Sequence, residues 1–116
     1  MATLEKAIEL AAKHHAGQKD KAGQAYILHP LAVMAQVEGE TAKTVAVLHD
    51  IIEDTPITVD DLRAEGFSET VIAAVLALTK APGMTREQAA HQARQNPIAR
   101  LVKIADVSDN MRLERI

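Results

Sequence analysis

The chain has 116 residues, of which 47% are hydrophobic and only 2% are aromatic, and its formal net charge is −3. This length predicts one compact domain with an aliphatic core, whereas the few aromatic rings and the negative charge argue against a nucleic-acid binder. The absence of cysteine excludes disulfides and thiolate metal sites. We expect a cytoplasmic protein without a membrane partner, since no transmembrane run or signal-peptide pattern is present.

The predicted elements of the N-terminal part are two helices separated by a polar loop. Thr3 can cap a first helix that ends near Gly17. The loop over residues 17–28 contains two glycines and several polar residues, so we expect it to contact a substrate. His29 and Pro30 then begin a second helix, with Pro30 at the first helical position.

The rest of the chain is predicted as helices as well. A third helix spans about residues 41–54 and is ended by a Thr-Pro pair. No stretch alternates with period two for long enough to form a strand, so the predicted fold class is all-α, with residues 1–116 forming a single multi-helix domain. The predicted N-cap residues of the later helices are Thr58, Ser68, Thr85 and Asn96.

The most informative segment is LHDIIEDT, residues 48–55. It places His49 beside Asp50 and, one helical turn later, Glu53 and Asp54. No Lys or Arg lies within the segment, so the carboxylates of a continuous helix would repel one another. Such a cluster predicts a cation in front of it, and a divalent metal is the simplest candidate.

Two residues elsewhere could complete a metal site. His29 directly follows the polar loop, and Asp106 follows an apolar run on the last helix, where a carboxylate is costly to bury unless it is paired or bound to metal. Taken singly, each is more often structural than functional. Together with His49 and Asp50 they form a mixed nitrogen and oxygen set that suits Mn²⁺, Fe²⁺ or Zn²⁺, whereas Mg²⁺ prefers oxygen alone.

These motifs together resemble the HD-domain metal phosphohydrolases. More narrowly, they are similar to the guanosine alarmone hydrolase domain of the RelA/SpoT family and its small stand-alone relatives. The resemblance covers nearly the whole chain and implies an all-helical HD fold. The matching segments are HHAGQKDKAGQAYILHP (14–30), AVLHDIIEDT (46–55), LTK (78–80) and VKIADVSDNM (102–111).

The resemblance also implies a reaction, which is removal of the 3′-pyrophosphate from guanosine tetra- or pentaphosphate. It assigns Glu53 and Asp54 to the hydrolytic water and its proton. The implied metal is Mn²⁺, and its implied ligands are His29, His49, Asp50 and Asp106. The residues expected to contact the phosphorylated nucleotide are Lys21, Tyr26, Lys80, Asn110 and Arg112.

Some nucleotide-contacting positions depart from the family pattern. Asp20-Lys21-Ala22 stands where these hydrolases typically have Arg-Lys-Ser, and an Asp side chain repels phosphate and cannot stack on a base. An HD phosphohydrolase that acts on another nucleotide or phosphorylated metabolite is therefore a second hypothesis, and a non-catalytic HD ligand-binding module is a third. We also expect a homodimer, from the apolar-rich ends, and a C-terminus shorter than that of related proteins.

Overall fold

The structure of the protein, a computed structural model, describes residues 2–112, with the backbone alone described at Arg112. Within these residues the chain forms eight helices and no strand, which confirms the predicted all-α fold class. The helices are α1 (Leu4–His14), α2 (Leu28–Ala35), α3 (Glu40–Leu48), α4 (Ile51–Asp54), α5 (Val59–Ala64), α6 (Glu69–Ala77), α7 (Arg86–Arg94) and α8 (Pro97–Arg112).

The predicted N-caps are confirmed because their side chains bind backbone N–H groups of the first helical turn. The oxygens of Thr3, Thr58, Ser68 and Thr85 accept from the third residue after each cap. Asn96 accepts from the N–H groups two and three residues later. A cap of this kind stabilises a helix by about 1 kcal/mol, so the capping side chains determine where these short helices begin.

The third predicted helix, in contrast, is not continuous. It divides into α3 and α4, with His49 as the C-cap of the first and Asp50 as the N-cap of the second. No Pro or Gly lies at the break. Instead, the His49 ring turns back, and its Nδ1 lies 2.6 Å from the Ala46 carbonyl oxygen. The single polar stripe predicted for residues 49–54 is therefore interrupted between its first two members.

Two further boundaries were predicted wrongly. Helix α1 ends at His14 and not near Gly17, and α2 begins at Leu28, which places Pro30 at the third helical position. Proline is tolerated there because N–H groups of the first turn have no partner within the helix.

Helix α3 lies at the centre of the fold and positions the site. It packs against α1, α2, α6 and α8, and residues 45–48 are completely buried. Truncating such an aliphatic side chain, as in Leu48→Ala, costs about 2–5 kcal/mol. Because α2 and α8 also pack on each other, the C-terminal end of α3 brings His49 to the place where the three helices meet. No described helix is long and apolar enough to span a membrane.

Candidate active site

Two helices and the break between two others bring the predicted metal ligands into one cluster. His29 lies at the start of α2, His49 and Asp50 lie between α3 and α4, and Asp106 lies on α8. The His29 Nε2 atom is 2.7 Å from Asp106 Oδ1, and the His49 Nε2 atom is 3.4 Å from the same oxygen. One ligand atom from each of His29, His49 and Asp106 fits within 4.8 Å of the others. Asp50 adjoins this group through His49, whose Nε2 lies 3.0 Å from Asp50 Oδ2.

Both imidazole rings are held by their other nitrogen. His29 Nδ1 lies 2.6 Å from Oδ2 of the fully buried Asp109. His49 Nδ1 donates to the Ala46 carbonyl, because a carbonyl oxygen can only accept. Contacts of this kind select the tautomer and fix the ring, so that Nε2 is left to bind a metal.

The His49 Nε2 atom indicates that a cation fits this cluster. It is buried and has no hydrogen-bond partner among the described residues, although it lies 3.0 Å from an Asp50 oxygen. A lone pair that faces a carboxylate is repelled unless a proton or a metal ion lies between them. Two imidazoles and two carboxylates are suitable donors for a divalent transition metal.

The electrostatics of the cluster keep its carboxylates ionised. Burial acts to raise the pKa of Asp50, but the adjacent His49 and a hydrogen bond from Tyr26 lower that pKa to about 2. Burial likewise opposes ionisation of Asp106, yet His29 and His49 hold its pKa well below the usual range. Burial opposes protonation of His49, while Asp50 and Asp106 raise its pKa. Metal ligation requires ionised carboxylates, so Asp50 and Asp106 meet this requirement at neutral pH.

The two carboxylates of α4 have different surroundings. Glu53 lines the same cavity as His49, Asp50 and Asp106, and its Oε1 accepts a hydrogen bond from the backbone N–H of Lys80. Partial burial and the nearby acids raise the pKa of Glu53, against that hydrogen bond. Asp54 does not line the cavity. Its pKa is raised mainly by partial burial and secondly by the negative charge of Asp50. Glu53 is therefore the α4 carboxylate that faces the cavity.

A cavity of about 490 Å³ opens in front of the cluster. This volume lies in the usual range for small-molecule sites, about 300–1,000 Å³. Of the residues predicted to contact substrate, Lys80 and Asn110 line it. Asn110 also donates from Nδ2 to Asp106 Oδ1 at 3.3 Å. Two cations that were not predicted, Arg86 and Lys103, line it as well.

The other predicted substrate contacts do not line this cavity. Tyr26 donates its hydroxyl to Asp50 Oδ2, and its ring lies between His15 and His29, at centroid distances of 4.9 and 5.9 Å. Tyr26 is thus a partner of a predicted metal ligand. Lys21 is exposed on the loop outside the cavity. The side chain of Arg112 lies outside the described residues.

The polar loop folds as a compact turn around Asp20. The Asp20 Oδ1 atom accepts from the N–H groups of Ala22 and Gln24 at 2.9 and 3.0 Å, and Lys19 pairs with Ala25 in an isolated antiparallel bridge. Aspartate stabilises such turns by accepting from the following backbone. The carboxylate that replaces the expected Arg therefore has a local structural role.

Asp109, the buried carboxylate that contacts the His29 ring, was not among the predicted site residues. It lies three positions after Asp106 on α8, and this spacing places both carboxylates on one helical face. Because Asp106 was already a candidate ligand, the spacing in VKIADVSDN could have identified its neighbour. The cations Arg86 and Lys103 had no comparable signal, because only the folded chain brings α7 and α8 to the cluster.

Comparison with known proteins agrees with this arrangement. The family model described as "HD domain" matches residues 7–113. The chain is similar to the "GTP pyrophosphokinase" of Streptomyces coelicolor, with 34% identity over 97% of this chain but only 15% of that relative. It is also similar to the zebrafish "Guanosine-3′,5′-bis(diphosphate) 3′-pyrophosphohydrolase MESH1", with 34% identity over 96% of this chain and 68% of the relative.

A third curated relative and one solved structure extend the comparison. The "Guanosine-3′,5′-bis(diphosphate) 3′-pyrophosphohydrolase" of Aquifex aeolicus is 33% identical over 94% of this chain and 17% of that protein. The solved structure reported as "A metazoan ortholog of SpoT hydrolyzes ppGpp and plays a role in starvation responses" superposes with a TM-score of 0.80 at 26% identity. The match covers 97% of this chain and 70% of that one. The chain thus spans less than a fifth of the long bacterial relatives.

Proposed function

This chain belongs to the HD-domain family, and on that premise we propose that it is a metal-dependent hydrolase that removes the 3′-pyrophosphate of guanosine tetra- and pentaphosphate. The observation that carries the proposal is the cluster of His49, Asp50 and Asp106 at one end of a cavity that Glu53 also lines. The names of the zebrafish and Aquifex relatives support this substrate.

We propose that His29, His49, Asp50 and Asp106 hold the metal, and that the metal is Mn²⁺. The close approach of His29, His49 and Asp106 and the buried Nε2 of His49, with Asp50 Oδ2 3.0 Å from that nitrogen, support this set. When bound, a divalent metal polarises a phosphoryl oxygen and lowers the pKa of a coordinated water. Asp109 keeps the His29 ring in place, and the Ala46 carbonyl does the same for His49.

Glu53 is proposed as the group that accepts the proton of the attacking water. It faces the cavity, and burial together with nearby carboxylates raises its pKa, which makes it a stronger base. The backbone N–H of Lys80 holds one Glu53 oxygen, which leaves the other to orient water. Asp54 is proposed as a second acid in proton transfer, because it is close enough to Asp50 for that charge, after partial burial, to raise its pKa.

Lys80 and Asn110 are proposed to contact the nucleotide, because both line the cavity. Lys80 brings a positive charge, which would offset that of a phosphate. Asn110 already donates to Asp106 and so lies next to the metal ligands. Contacts from Lys21, Tyr26 and Arg112 to the substrate stay predictions.

Three properties of the whole chain are proposed with this function. We propose that residues 1–116 act as one hydrolase domain and that it works in the cytoplasm, because its proposed substrate is a nucleotide. The homodimer stays a prediction. It draws support from α8, where Leu101, Ile104 and Met111 are 55%, 63% and 63% exposed, since contiguous exposed apolar residues often mark interfaces. Analytical ultracentrifugation that finds a monomer at high concentration would contradict it.

A second candidate is an HD phosphohydrolase with a different phosphorylated substrate. The observation that favours it is Asp20, which holds its own turn and supplies no guanidinium to stack on a base. A third candidate, the non-catalytic HD ligand-binding module, is opposed by Glu53, because a site that only binds ligand needs no additional carboxylate facing its cavity.

One assay separates these candidates. The metal-stripped protein is reloaded with Mn²⁺ and incubated with guanosine 3′,5′-bis(diphosphate) and with a panel of other pyrophosphorylated nucleotides, and released pyrophosphate is measured. We expect release from the guanosine compound and loss of release in Glu53→Gln, but not in Asp60→Asn, a variant of an exposed acid with a 94% exposed side chain. Release only from other compounds supports the second candidate, and bound metal without any turnover supports the third.

A further inference from the structure

Two cationic residues that line the site cavity, Arg86 and Lys103, are not part of the proposed metal site or of the proposed proton transfer. Arg86 is the first residue of α7, and Lys103 lies on α8 three residues before Asp106. Both side chains line the cavity that also contacts His49 and Asp50. They therefore face the space in which a substrate would meet the metal ligands.

The positive charge of Arg86 is not neutralised by a carboxylate within the described part of the chain. No carboxylate of those residues forms an ion pair with its guanidinium. Arg63 shows the contrast, because it binds both Glu69 oxygens at 2.9 and 3.0 Å. A cation in the first turn also opposes the helix dipole, so Arg86 does not serve the stability of its own helix. Its guanidinium is therefore available to an anion that enters the cavity.

The helix that carries Arg86 is held firmly in place. Gln92 donates from Nε2 to the carbonyl oxygens of Leu76, Ala77 and Thr79, at 3.1, 3.2 and 3.0 Å. These bonds join α7 to the end of α6, which leads directly to Lys80. Thr85 also forms a capping box at the start of α7. The distance between Arg86 and the metal ligands is therefore set by the fold.

Lys103 makes only a weak contact, which a phosphate could replace. Its Nζ lies 3.6 Å from Asp106 Oδ2, and its side chain is 48% exposed. Asp106 has closer partners, since His29 Nε2 lies 2.7 Å from its other oxygen. The ammonium itself is half exposed to water, and a 3.6 Å contact is longer than a normal charge-assisted hydrogen bond. The ammonium is thus available for a ligand in the cavity.

We propose that Arg86 and Lys103 form an anion-binding wall that holds the phosphate groups of the substrate that lie away from the metal. The ligand class is a nucleotide phosphorylated at two positions, with one diphosphate at the metal ligands and the other on the wall. Without this wall, Lys80 would be left as the one lysine or arginine among the described lining residues, against the carboxylates of Asp50, Glu53 and Asp106. The inference rests on the proposed function for the identity of the substrate, and on the cavity for the location of the wall.

The test compares Arg86→Ala and Lys103→Ala with Arg94→Ala, a variant of an exposed arginine on the same helix that does not line the cavity. Calorimetry measures the binding of inorganic pyrophosphate to the Mn²⁺-loaded protein, and kinetics with guanosine 3′,5′-bis(diphosphate) give KM and kcat separately. A lost charge-assisted contact should raise the pyrophosphate Kd and the KM about tenfold, with kcat changed less than about threefold. Arg86→Lys should recover part of the loss, and Arg94→Ala should match the wild type.

The two readouts separate failure of the wall from failure of the proposed substrate. If both variants bind pyrophosphate about tenfold more weakly than the wild type and Arg94→Ala does not, the wall is supported even when guanosine 3′,5′-bis(diphosphate) is not hydrolysed. If the wild type hydrolyses that compound and neither variant changes KM or pyrophosphate affinity, the wall is overturned while the proposed function stands. A wild type that neither binds pyrophosphate nor hydrolyses the compound overturns both. Circular dichroism of each variant, matched to the wild type, excludes misfolding as the cause.

Discussion

Two parts of the site differ in how their charged groups are held. At the inner end, by which we mean the ligand cluster of His29, His49, Asp50 and Asp106, the two imidazole rings are 3% and 2% exposed, and each has a second partner that fixes its orientation. At the outer end, Lys80, Arg86 and Lys103 are exposed to solvent. Substitutions at the inner end should therefore abolish metal binding or turnover almost completely. Changes at the outer end should act gradually on substrate affinity, because water screens exposed charges.

The sharpest test of the inner end is Asp50→Asn. The substitution keeps the size of the side chain but removes a charged ligand beside the Nε2 of His49. Loss of an outer-sphere partner already costs about 10–100-fold in metal affinity, so loss of a ligand should exceed about 100-fold and abolish turnover. Metal content after gel filtration and pyrophosphate release are the measurements.

Asp60→Asn is the matched control for Asp50→Asn, because it changes an exposed acid in the same way. It should bind metal and turn over substrate as the wild type does. Full Mn²⁺-dependent activity in Asp50→Asn would show that the inner end does not hold the metal through this residue. The expectation that inner-end substitutions abolish metal binding and turnover would then be wrong.

The sequence predicts local features of the fold better than features that depend on residues distant in the chain. Thr58 and Thr85 cap their helices as predicted, because a cap depends on residues within one turn. The break between His49 and Asp50 was missed, because nothing in LHDIIEDT interrupts a helix locally. It reflects a ring that turns toward Ala46 and toward residues of α2 and α8.

The same distinction applies to the site. Motifs and a family resemblance suggested the four candidate ligands, and the structure brings three of them into one close group with Asp50 beside it. The cationic wall of Arg86 and Lys103 could not be predicted, because the two residues are separated in sequence and carry no motif. Only the packing of α7 on α8 places them beside one cavity.

Glu53→Gln should separate chemistry from metal binding at the inner end. The amide keeps an oxygen that can accept from Lys80 N–H but cannot accept a proton from water. We expect kcat to fall about 10²–10⁴-fold, with metal affinity changed less than about twofold. Single-turnover kinetics and metal titration measure the two quantities.

Asp54→Asn serves as the companion variant of Glu53→Gln, and we expect a smaller loss of kcat because Asp54 does not line the cavity. A larger loss in Asp54→Asn than in Glu53→Gln would reverse the roles proposed for the two carboxylates. Equal losses would indicate that they act as a unit.

Asp109→Asn tests whether the buried partner of His29 acts on the metal site. The amide keeps the volume but removes the charge that faces His29 Nδ1 at 2.6 Å. We expect metal affinity to fall about 10–100-fold, as for other residues that hold a metal ligand in place. Thermal unfolding with chelator and with Mn²⁺ separates the roles, because a purely structural residue would lower stability equally under both conditions.

Tyr26→Phe should have a milder effect on the same end. Burial and the charge of Asp50 raise the pKa of Tyr26 far above its usual value, so the hydroxyl stays protonated and donates to Asp50 throughout the physiological pH range. Removing one hydrogen bond to a charged group should weaken metal binding about tenfold. Unchanged metal affinity together with a raised KM would instead assign Tyr26 to substrate contact.

The smallest effect is expected at Asp20, on the polar loop, which does not line the cavity. Asparagine can accept the same two backbone hydrogen bonds from Ala22 and Gln24, so Asp20→Asn removes a charge and keeps the turn. Because that carboxylate oxygen faces its own loop, we expect KM to fall less than about threefold and kcat to stay constant. Asp20→Ala, which loses both bonds, controls for loosening of the turn and should raise KM. A tenfold or larger fall in KM for Asp20→Asn would place this carboxylate against the substrate phosphates, and the outer end would then contain an opposing charge as well as a binding wall.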